Sequence, residues 1–282
     1  MVKSFNEELF RFGNEIGRGG DGYVVDAENL VSSKRCAIKV VELDSCGKYF
    51  FKSERQIMHK LNKFNHKNIL HADYFIKKNH SSSSNSQEGI IVMDKMDCDL
   101  WDYMQRNGHL SEDEAKIIIK QVCEAVKFMH EKKVAHLDLK LENILININN
   151  RAIKLCDFVR AFDWDGKRGR MVDEMIGRRI SREYRAPEVA NKEEYRANKL
   201  DQWSVGVILY YLLVGSFPHD KIYDQYEDYN EEVFVDIHSQ YDYLMNEIGI
   251  SASCFNILCL LLNRDAQFRP SFRKIVEHDF FQ

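Results

Sequence analysis

The sequence is poor in proline and has no long apolar run. Only three of its 282 residues are proline, namely Pro187, Pro218 and Pro270. The longest apolar stretch lies around Val205–Val214, far below the roughly 20 residues that a membrane-spanning helix needs. The opening residues, MVKSFNEELFRF, lack the apolar centre of a signal peptide. We therefore predict no membrane association and a cytoplasmic protein, with a nuclear location left open.

Cysteine is present, but not in the spacing of a disulfide framework or a zinc site. The seven cysteines are odd in number and scattered, and none forms a C-x-x-C pair. A basic excess is also missing, because the formal net charge is −4. Nucleic-acid binding requires a basic face, so nucleic acid is not predicted as a partner. The scattered cysteines fit a reducing compartment. With 44% apolar and 30% charged residues, the composition is that of a globular chain.

Strand patterns dominate the first hundred residues. Short apolar runs between turn signals predict strands at Val24–Val25, Cys36–Val41 and Ile90–Met93. Helical spacing predicts one helix over Lys48–Leu61. The serine-rich stretch 79–89 is of low complexity and predicts an exposed hairpin loop between two strands.

Helical patterns dominate from Ser111 onward. Ser111 and Glu114 have the S-x-x-E spacing of a capping box, and apolar residues follow at helical spacing. Leu200–Leu213 is apolar on nearly all sides, which predicts a buried central helix. The chain is therefore expected to have a strand-rich part joined near 94–99 to a helical part.

A glycine-rich stretch, IGRGGDGYV, begins at Ile16. Gly17, Gly19 and Gly22 give G-x-G-x-x-G, in which backbone amides can approach phosphate oxygens without a Cβ in the way. A plain hairpin turn or a dinucleotide-binding loop could have the same sequence pattern. A dinucleotide-binding loop is the weaker interpretation, because a strand rich in β-branched residues follows and not a helix.

Two charged residues follow at a suggestive spacing. Lys39 lies in the apolar strand CAIKV, and Glu54 lies fifteen residues on in the predicted helix. Each alone is more often a surface charge. Together, after the glycine loop, they favour an ion pair that holds the ammonium for nucleotide phosphates.

In the stretch KVAHLDLKLENILI, residues 133–146, polar residues alternate along the sequence with apolar ones. Asp138 is suited to accept a hydroxyl proton, Lys140 to neutralise a transferring phosphoryl group, and Asn143 to bind Mg²⁺. Asp157, after a predicted strand, is a second candidate Mg²⁺ ligand. The alternatives are a polar surface turn and an ordinary strand-end aspartate.

Taken together, these motifs resemble the eukaryotic protein kinase catalytic domain from about Phe10 to Phe281. The landmarks APE at Ala186, DQWSVG at Asp201 and RPS at Arg269 follow in order. The resemblance implies an α+β, two-lobed kinase fold. It divides into a β-rich N-lobe with one main helix (1–93), a hinge (94–99) and a helical C-lobe (100–282). It also implies that Glu188 pairs with Arg269 and that Asp201 braces the catalytic loop.

The resemblance further implies transfer of the γ-phosphate of ATP, with Mg²⁺, to protein serine or threonine. The lysine in DLKLEN favours this class over tyrosine kinases. The residues it implies for catalysis are Asp138, Lys140, Asn143, Lys39, Glu54 and Ser181, and those for Mg²⁺ are Asn143 and Asp157. For ATP it implies Ile16, Gly17, Gly19, Gly22, Val24, Ala37, Lys39, Met93, Asp94, Met96, Leu145 and Asp157.

Two positions depart from the family pattern. Leu137 replaces the arginine that usually receives an activation-segment phosphate, and the usual phosphorylation position holds Gly177. We therefore predict activity without loop phosphorylation. Val159 replaces the glycine of D-F-G, which predicts that Asp157 and Phe158 have a narrower conformational range. Val159 therefore favours the alternative of a nucleotide-binding pseudokinase scaffold, whereas the complete set of catalytic residues favours an enzyme.

Substrate signals are mixed. Asp99 and Glu142 align with acidic positions that select a basic residue three before the target, while Tyr211 stands at a third, usually acidic, position. Arg182 resembles an arginine of the cyclin-dependent, MAP and CLK kinases, and GSFPHD resembles calcium/calmodulin-type kinases. A protein substrate with a basic residue at minus three is weakly favoured, and nothing indicates an oligomeric state.

Overall fold

The computed structural model describes residues 7–19, 22–79, 87–164, 170–171, 180–190, 195–218 and 236–282. The chain divides into two compact units. The first is Met1–Asp97 with Asp157–Arg160, and the second is Cys98–Cys156 with Ala161–Gln282. The predicted lobe boundaries at 94–99 stay a prediction.

The first unit is built on a five-stranded antiparallel sheet. The strand order is β1-β2-β3-β5-β4. The predicted hairpin around 79–89 is present, since Asn79 pairs with Gln87, and residues 80–86 lie outside the described residues. The predicted strands all lie within observed ones. The five strands are β1 Phe10–Gly19, β2 Gly22–Asn29, β3 Lys34–Glu42, β4 Ala72–Asn79 and β5 Gln87–Asp94.

One long helix, α1 (Ser45–Asn62), packs on this unit and begins three residues before the prediction. Asp44 caps it, because its carboxylate accepts the Gly47 N–H at 2.6 Å. The predicted apolar face is buried and includes Phe51 and Leu61. Burial of this face fixes how α1 lies on the sheet, and Glu54 is buried with it.

The second unit is mainly helical. Its described helices are α2 Leu100–Asn107, α3 Glu112–Glu131, α4 Pro187–Ala190, α5 Ala197–Val214, α6 Ala252–Leu261 and α7 Phe272–Ile275. Short strands complete it: β6 Cys98–Asp99, β7 Val134–Ala135, β8 Ile144–Ile146, β9 Ile153–Leu155, β10 Phe162–Asp163, β11 Arg170–Met171 and β12 Tyr195–Arg196. Single turns of other helix types lie at Glu7–Leu9 in the first unit and, in the second, at Leu141–Asn143, Arg182–Tyr184, Ile237–Gln240, Tyr243–Ile248, Ala266–Phe268 and Asp279–Phe281.

Helix α5 forms the centre of this unit, as predicted. Every residue from Leu200 to Leu213 is buried. A Cβ at Gly206 would lie 2.7 Å from the Leu262 side chain, so glycine is what lets the end of α6 approach α5. The predicted cap of α3 is also confirmed, since Ser111 Oγ accepts the Glu114 N–H at 3.3 Å. Across the described residues, no helix has both the length and the apolar character to span a bilayer.

Candidate functional site

The first unit brings Lys39 and Glu54 together. Lys39 extends from β3 and Glu54 from α1, and Lys39 Nζ lies 3.0 and 3.3 Å from the two carboxylate oxygens. Both side chains are largely withdrawn from solvent, at 14% and 4% exposure. The predicted ion pair is therefore present, and it fixes the lysine ammonium in one place. Its role in nucleotide binding stays a prediction.

Asp157 joins the same cluster. Its Oδ1 lies 3.6 Å from Lys39 Nζ, and its backbone has a left-handed φ of 60°. This conformation costs a non-glycine residue energy and is often found at functional sites. Phe158 beside it is fully buried.

Val159, at the position of the family's glycine, is buried and is not among the residues with positive φ. A β-branched residue is therefore accommodated in this conformation, because the left-handed backbone lies at Asp157 instead. The predicted narrowing of the conformational range stays a prediction.

The glycine-rich stretch forms the end of the β1–β2 hairpin. Gly22 has a φ of 140°, and a Cβ there would lie 2.0 Å from the Val40 carbonyl oxygen, so only glycine fits. A Cβ at Gly17 or Gly19 would meet nothing within 4 Å, so these positions border open space. Ile16 is 45% exposed beside them. Residues 20–21 lie outside the described residues.

The residues predicted to contact adenine in the first unit lie on neighbouring strands. Ala37 on β3 lies opposite Met93 on β5, and Lys39 lies opposite Val24 on β2.

The predicted hinge residues carry two lysine contacts that were not foreseen from the sequence. Lys34 Nζ lies 2.8 Å from Asp94 Oδ1, and Lys95 Nζ donates to the Met96 carbonyl at 3.0 Å. The hydrogen bond to Asp94 raises the pKa of Lys34.

The second unit brings the catalytic-loop residues together around Asp138. Asn143 Nδ2 donates to the Asp138 carbonyl at 2.7 Å and to its Oδ2 at 3.2 Å. Ser181 Oγ donates to Oδ1 of the same carboxylate at 3.2 Å, and Lys140 Nζ lies 3.9 Å from Oδ2. Asp138 and Asn143 are both buried. Leu145, the remaining predicted adenine contact, lies in β8 opposite Asp99.

Asp201 braces this loop, as predicted. Its carboxylate accepts the His136 N–H at 3.0 Å and the Leu137 N–H at 2.9 Å. Leu137 itself is left-handed, with a φ of 63°, and is only 4% exposed. His130 Nε2 lies 2.7 Å from the same carboxylate, a contact that sequence reasoning missed. The available signal was His130 itself, the one histidine of α3, six residues before His136.

The predicted pair of Glu188 and Arg269 is confirmed. Arg269 donates from both terminal nitrogens to the Glu188 carboxylate, at 2.7 and 2.8 Å. Its Nε donates to the Asn263 carbonyl at 2.8 Å, and its guanidinium lies 5.0 Å from the Trp203 ring centroid. The pair is buried, so it anchors the APE segment to the unit's core.

The residues predicted to read the substrate are partly withdrawn from water. Asp99 Oδ1 accepts the Asp102 N–H at 2.8 Å and caps α2. Burial raises the pKa of Asp99. Desolvation raises the pKa of Glu142, and the charges of Asp99 and Asp138 raise it further, although part of its surface is in solvent. Tyr211 packs its ring 4.7 Å from that of Phe217. Arg182 begins a single helical turn.

The activation segment, Asp157–Glu188, is described only in part. Its strand β10 pairs with β7, which precedes the catalytic loop, and β11 pairs with β12, which precedes α5. Gly177 lies outside the described residues, as do residues 165–169 and all of 172–179.

These features together define the protein kinase class. Residues 10–281 match the protein kinase domain family, and the chain belongs to that family.

Similar proteins include serine/threonine-protein kinase 33 of Bos taurus, which is 32% identical over 75% of this chain and 43% of that protein. Serine/threonine-protein kinase SIK1 of Mus musculus is 36% identical over 73% of the chain and 25% of that protein. NUAK family SNF1-like kinase 2 of Homo sapiens is 32% identical over 75% of the chain and 32% of that protein. The chain thus spans less than half the length of these relatives.

Proposed function

We propose that this chain is a protein serine/threonine kinase that transfers the γ-phosphate of MgATP to hydroxyl groups of protein substrates. The observation that carries the proposal is the buried Asp138 carboxylate, bonded by both Asn143 and Ser181 with the Lys140 ammonium at 3.9 Å. A carboxylate held in this way can orient a hydroxyl and accept its proton. Membership of the kinase family and the names of the relatives support the same activity.

In the proposed reaction the substrate hydroxyl oxygen forms a bond to the γ-phosphorus, and the bond from phosphorus to the β-phosphate bridging oxygen breaks. Asp138 accepts the hydroxyl proton, and ADP leaves with the electron pair. Lys140 neutralises charge on the transferring group, while Ser181 holds the carboxylate orientation. Positioning and charge neutralisation account for most of the rate in this chemistry.

The residues present fit a nucleotide and a magnesium ion. Lys39, fixed by Glu54, would be a phosphate ligand, and a Cβ at Gly17 or Gly19 would meet nothing within 4 Å, so open space borders the backbone there. Asn143 donates its amide nitrogen to Asp138, so its amide oxygen would be the atom that it offers to a metal, and Asp157 would be the second ligand. When bound, Mg²⁺ supplies positive charge for the phosphate oxygens.

The test is phosphate transfer from MgATP to a generic basic serine/threonine substrate, with Asp138→Asn as the inactive variant. We expect the variant to lose about 10²- to 10⁴-fold in kcat with its thermal stability retained, because the general base is removed. Asp102→Asn, an exposed aspartate on α2, is the matched control and should keep full activity. Nucleotide binding without any transfer by the natural sequence would instead support the pseudokinase.

We also propose that activity does not require a phosphorylated activation segment. Leu137 supports this, because a buried leucine offers no charge to a phosphate. Backbone pairing of β10 with β7 and of β11 with β12 supplies segment contacts that need no phosphate. Phosphatase-treated and untreated protein should therefore have equal kcat. A strong rate increase on phosphorylation of the segment would overturn the proposal.

For the substrate, we propose a basic residue three positions before the target. Asp99 and Glu142 support this, since desolvation disfavours the charged form of each carboxylate and each would gain from a cation. Peptides that differ only in arginine or alanine at minus three should differ in kcat/KM. Glu142→Gln should reduce that difference, whereas Asp102→Asn should leave it unchanged. Equal use of both peptides by the natural sequence would rule the preference out.

A further inference from the structure

Arg18 lies between two glycines of the β1–β2 hairpin and is bound from two sides. Its Nε donates to Glu15 Oε1 at 2.8 Å, and its Nη2 donates to Oε2 at 2.5 Å. On the next strand, the Tyr23 ring centroid lies 5.2 Å from the guanidinium carbon. Arg18 and Tyr23 are direct cross-strand neighbours. The guanidinium therefore links a residue earlier in β1 to a residue of β2.

The contact depends on an irregularity in β1. In a regular strand, residues three apart point to opposite faces, so Glu15 and Arg18 would not meet. The pairing of β1 with β2 shifts register on both sides of Glu15, between Phe12 and Glu15 and again between Glu15 and Gly17. Such bulges redirect side chains. Here the shift allows the Glu15 carboxylate to reach the guanidinium.

Apart from its backbone pairing with β2, the strand that carries Arg18 has few contacts that hold it. Every residue of β1 after Phe10 is exposed, so few buried contacts position this strand. The glycines on both sides of Arg18 add conformational freedom. A bidentate arginine–carboxylate pair has more geometric definition than a single surface contact. The hydrogen bond from Arg18 also lowers the pKa of Glu15, so the carboxylate is charged at neutral pH.

We infer that Glu15, Arg18 and Tyr23 form a clamp that positions the glycine-rich hairpin for nucleotide phosphates, with Arg18 acting as a positioning residue and not as a phosphate ligand. The inference rests on the proposed binding of ATP at this hairpin. The guanidinium donates its N–H groups to the Glu15 carboxylate and lies over the Tyr23 ring. The clamp therefore acts on the backbone of Gly17, Gly19 and Gly22, which remains the part that meets the phosphates.

Glu15→Gln distinguishes this clamp from a simple effect of charge. Removing a negative charge near the phosphate loop would strengthen binding of an anionic nucleotide if charge alone acted. The clamp instead predicts weaker nucleotide binding, because the glutamine amide of this variant cannot accept two charge-assisted hydrogen bonds from Arg18. The direction of the change alone therefore separates the two explanations.

The experiment measures Kd for MgADP and for adenosine by calorimetry on the full chain, for the natural sequence, Glu15→Gln and Arg18→Met. We expect both variants to weaken MgADP binding about threefold to tenfold, as fits a well-aligned exposed pair with an aromatic contact. Adenosine, which lacks phosphates, should bind all three proteins equally. In turnover assays KM for ATP should rise while kcat holds.

The matched controls are Arg11→Met and Glu28→Gln. These residues form a second exposed ion pair between the same two strands, at 2.7 Å. Both controls should leave MgADP affinity unchanged. The charge-reversed double variant Glu15→Arg with Arg18→Glu should recover part of the affinity that either single reversal loses.

Several results would overturn the clamp. These are tighter MgADP binding by Glu15→Gln, an equal loss of adenosine binding, or an equal effect of the control pair. A loss confined to Arg18→Met would show that Arg18 contacts phosphate directly. If the natural sequence binds no MgADP, the proposed function fails. Normal binding that neither variant changes contradicts the clamp alone.

Discussion

The two units of this protein hold their charged side chains in different ways. In the second unit, Asp201, Glu188 and Arg269 are all buried, and each carboxylate or guanidinium makes at least two hydrogen bonds. In the first unit, the pairs Arg11–Glu28 and Glu15–Arg18 lie on the exposed edge of the sheet. The pair of Lys39 and Glu54 in this unit is, by contrast, largely buried. The loop around Asp138 is thus set by buried charges, whereas the charged side chains of the glycine-rich hairpin make weak surface contacts.

This difference has an energetic consequence. Exposed ion pairs contribute about 0 to 1 kcal/mol each, whereas breaking a buried pair leaves an uncompensated charge in the interior and costs several kcal/mol. The second unit therefore requires its charged network for stability. The first unit can change its surface pairs with little loss of folding free energy, which leaves the hairpin adjustable.

The largest expected effect is that of Glu188→Gln. The substitution removes the charge that compensates Arg269, whose side chain is 0% exposed. We expect the free energy of unfolding to fall by about 3 to 5 kcal/mol, measured by urea denaturation. Glu28→Gln is the control on the exposed side of the comparison and should cost less than about 1 kcal/mol. Equal losses in the two variants would contradict the contrast between the units.

A second substitution, Gln202→Leu, tests whether every buried polar group in the second unit stabilises the protein through hydrogen bonds. Gln202 is fully buried in α5, and neither of its amide atoms has a hydrogen-bond partner in the described part of the chain. Replacing an unsatisfied buried amide by a similar apolar group should stabilise the protein by about 1 to 3 kcal/mol.

Gln121 on α3 provides the matched control. It bonds the Ile117 and Arg151 carbonyls and the Ile153 N–H. Gln121→Leu should lower the melting temperature, while Gln202→Leu should raise it. A lower melting temperature for Gln202→Leu would show that hydrogen bonds of the amide stabilise the protein by more than burial of the amide destabilises it.

The smallest expected effect concerns pH and two acidic residues of the second unit, the half-buried Asp99 and the exposed Glu142. Because burial raises the pKa of Asp99 and desolvation raises that of Glu142, both protonate at a higher pH than an ordinary carboxyl near pH 4. Affinity for a peptide with arginine at minus three needs the ionised forms. It should be complete above the raised values and fall as pH drops through them.

The measurement is peptide Kd from pH 7.5 downward, until the affinity of the arginine peptide no longer changes. A peptide with alanine at minus three is the control and should show no such fall. Asp99→Asn with Glu142→Gln should flatten the profile of the arginine peptide. A profile that keeps its fall in the double variant would assign the titration to other groups.

The sequence allowed prediction of features that depend on local spacing. The D-x-K-x-x-N spacing led to Asp138, Lys140 and Asn143, and apolar periodicity located α1 and α5 within a few residues. The family landmarks led to the pairing of Glu188 with Arg269 across the sequence.

Other features follow from contacts that no local pattern encodes. The left-handed backbone at Leu137 exists because a carboxylate 64 residues away accepts its N–H. Gly13 and Gly17 border the shift in register around Glu15, but where the pairing shifts depends on how β2 pairs with β1. Gln202 lies where the surrounding pattern is apolar, and only the packing of α5 reveals that its amide is enclosed.

Asp201 has one more consequence, for isotope exchange. The His136 and Leu137 amide protons are bonded to a side chain and not to a backbone carbonyl, in a buried loop without regular secondary structure. Amides in such loops usually exchange with deuterated water quickly, whereas these two should exchange only when α5 and the loop separate. Their exchange times would therefore report the opening of the catalytic loop directly.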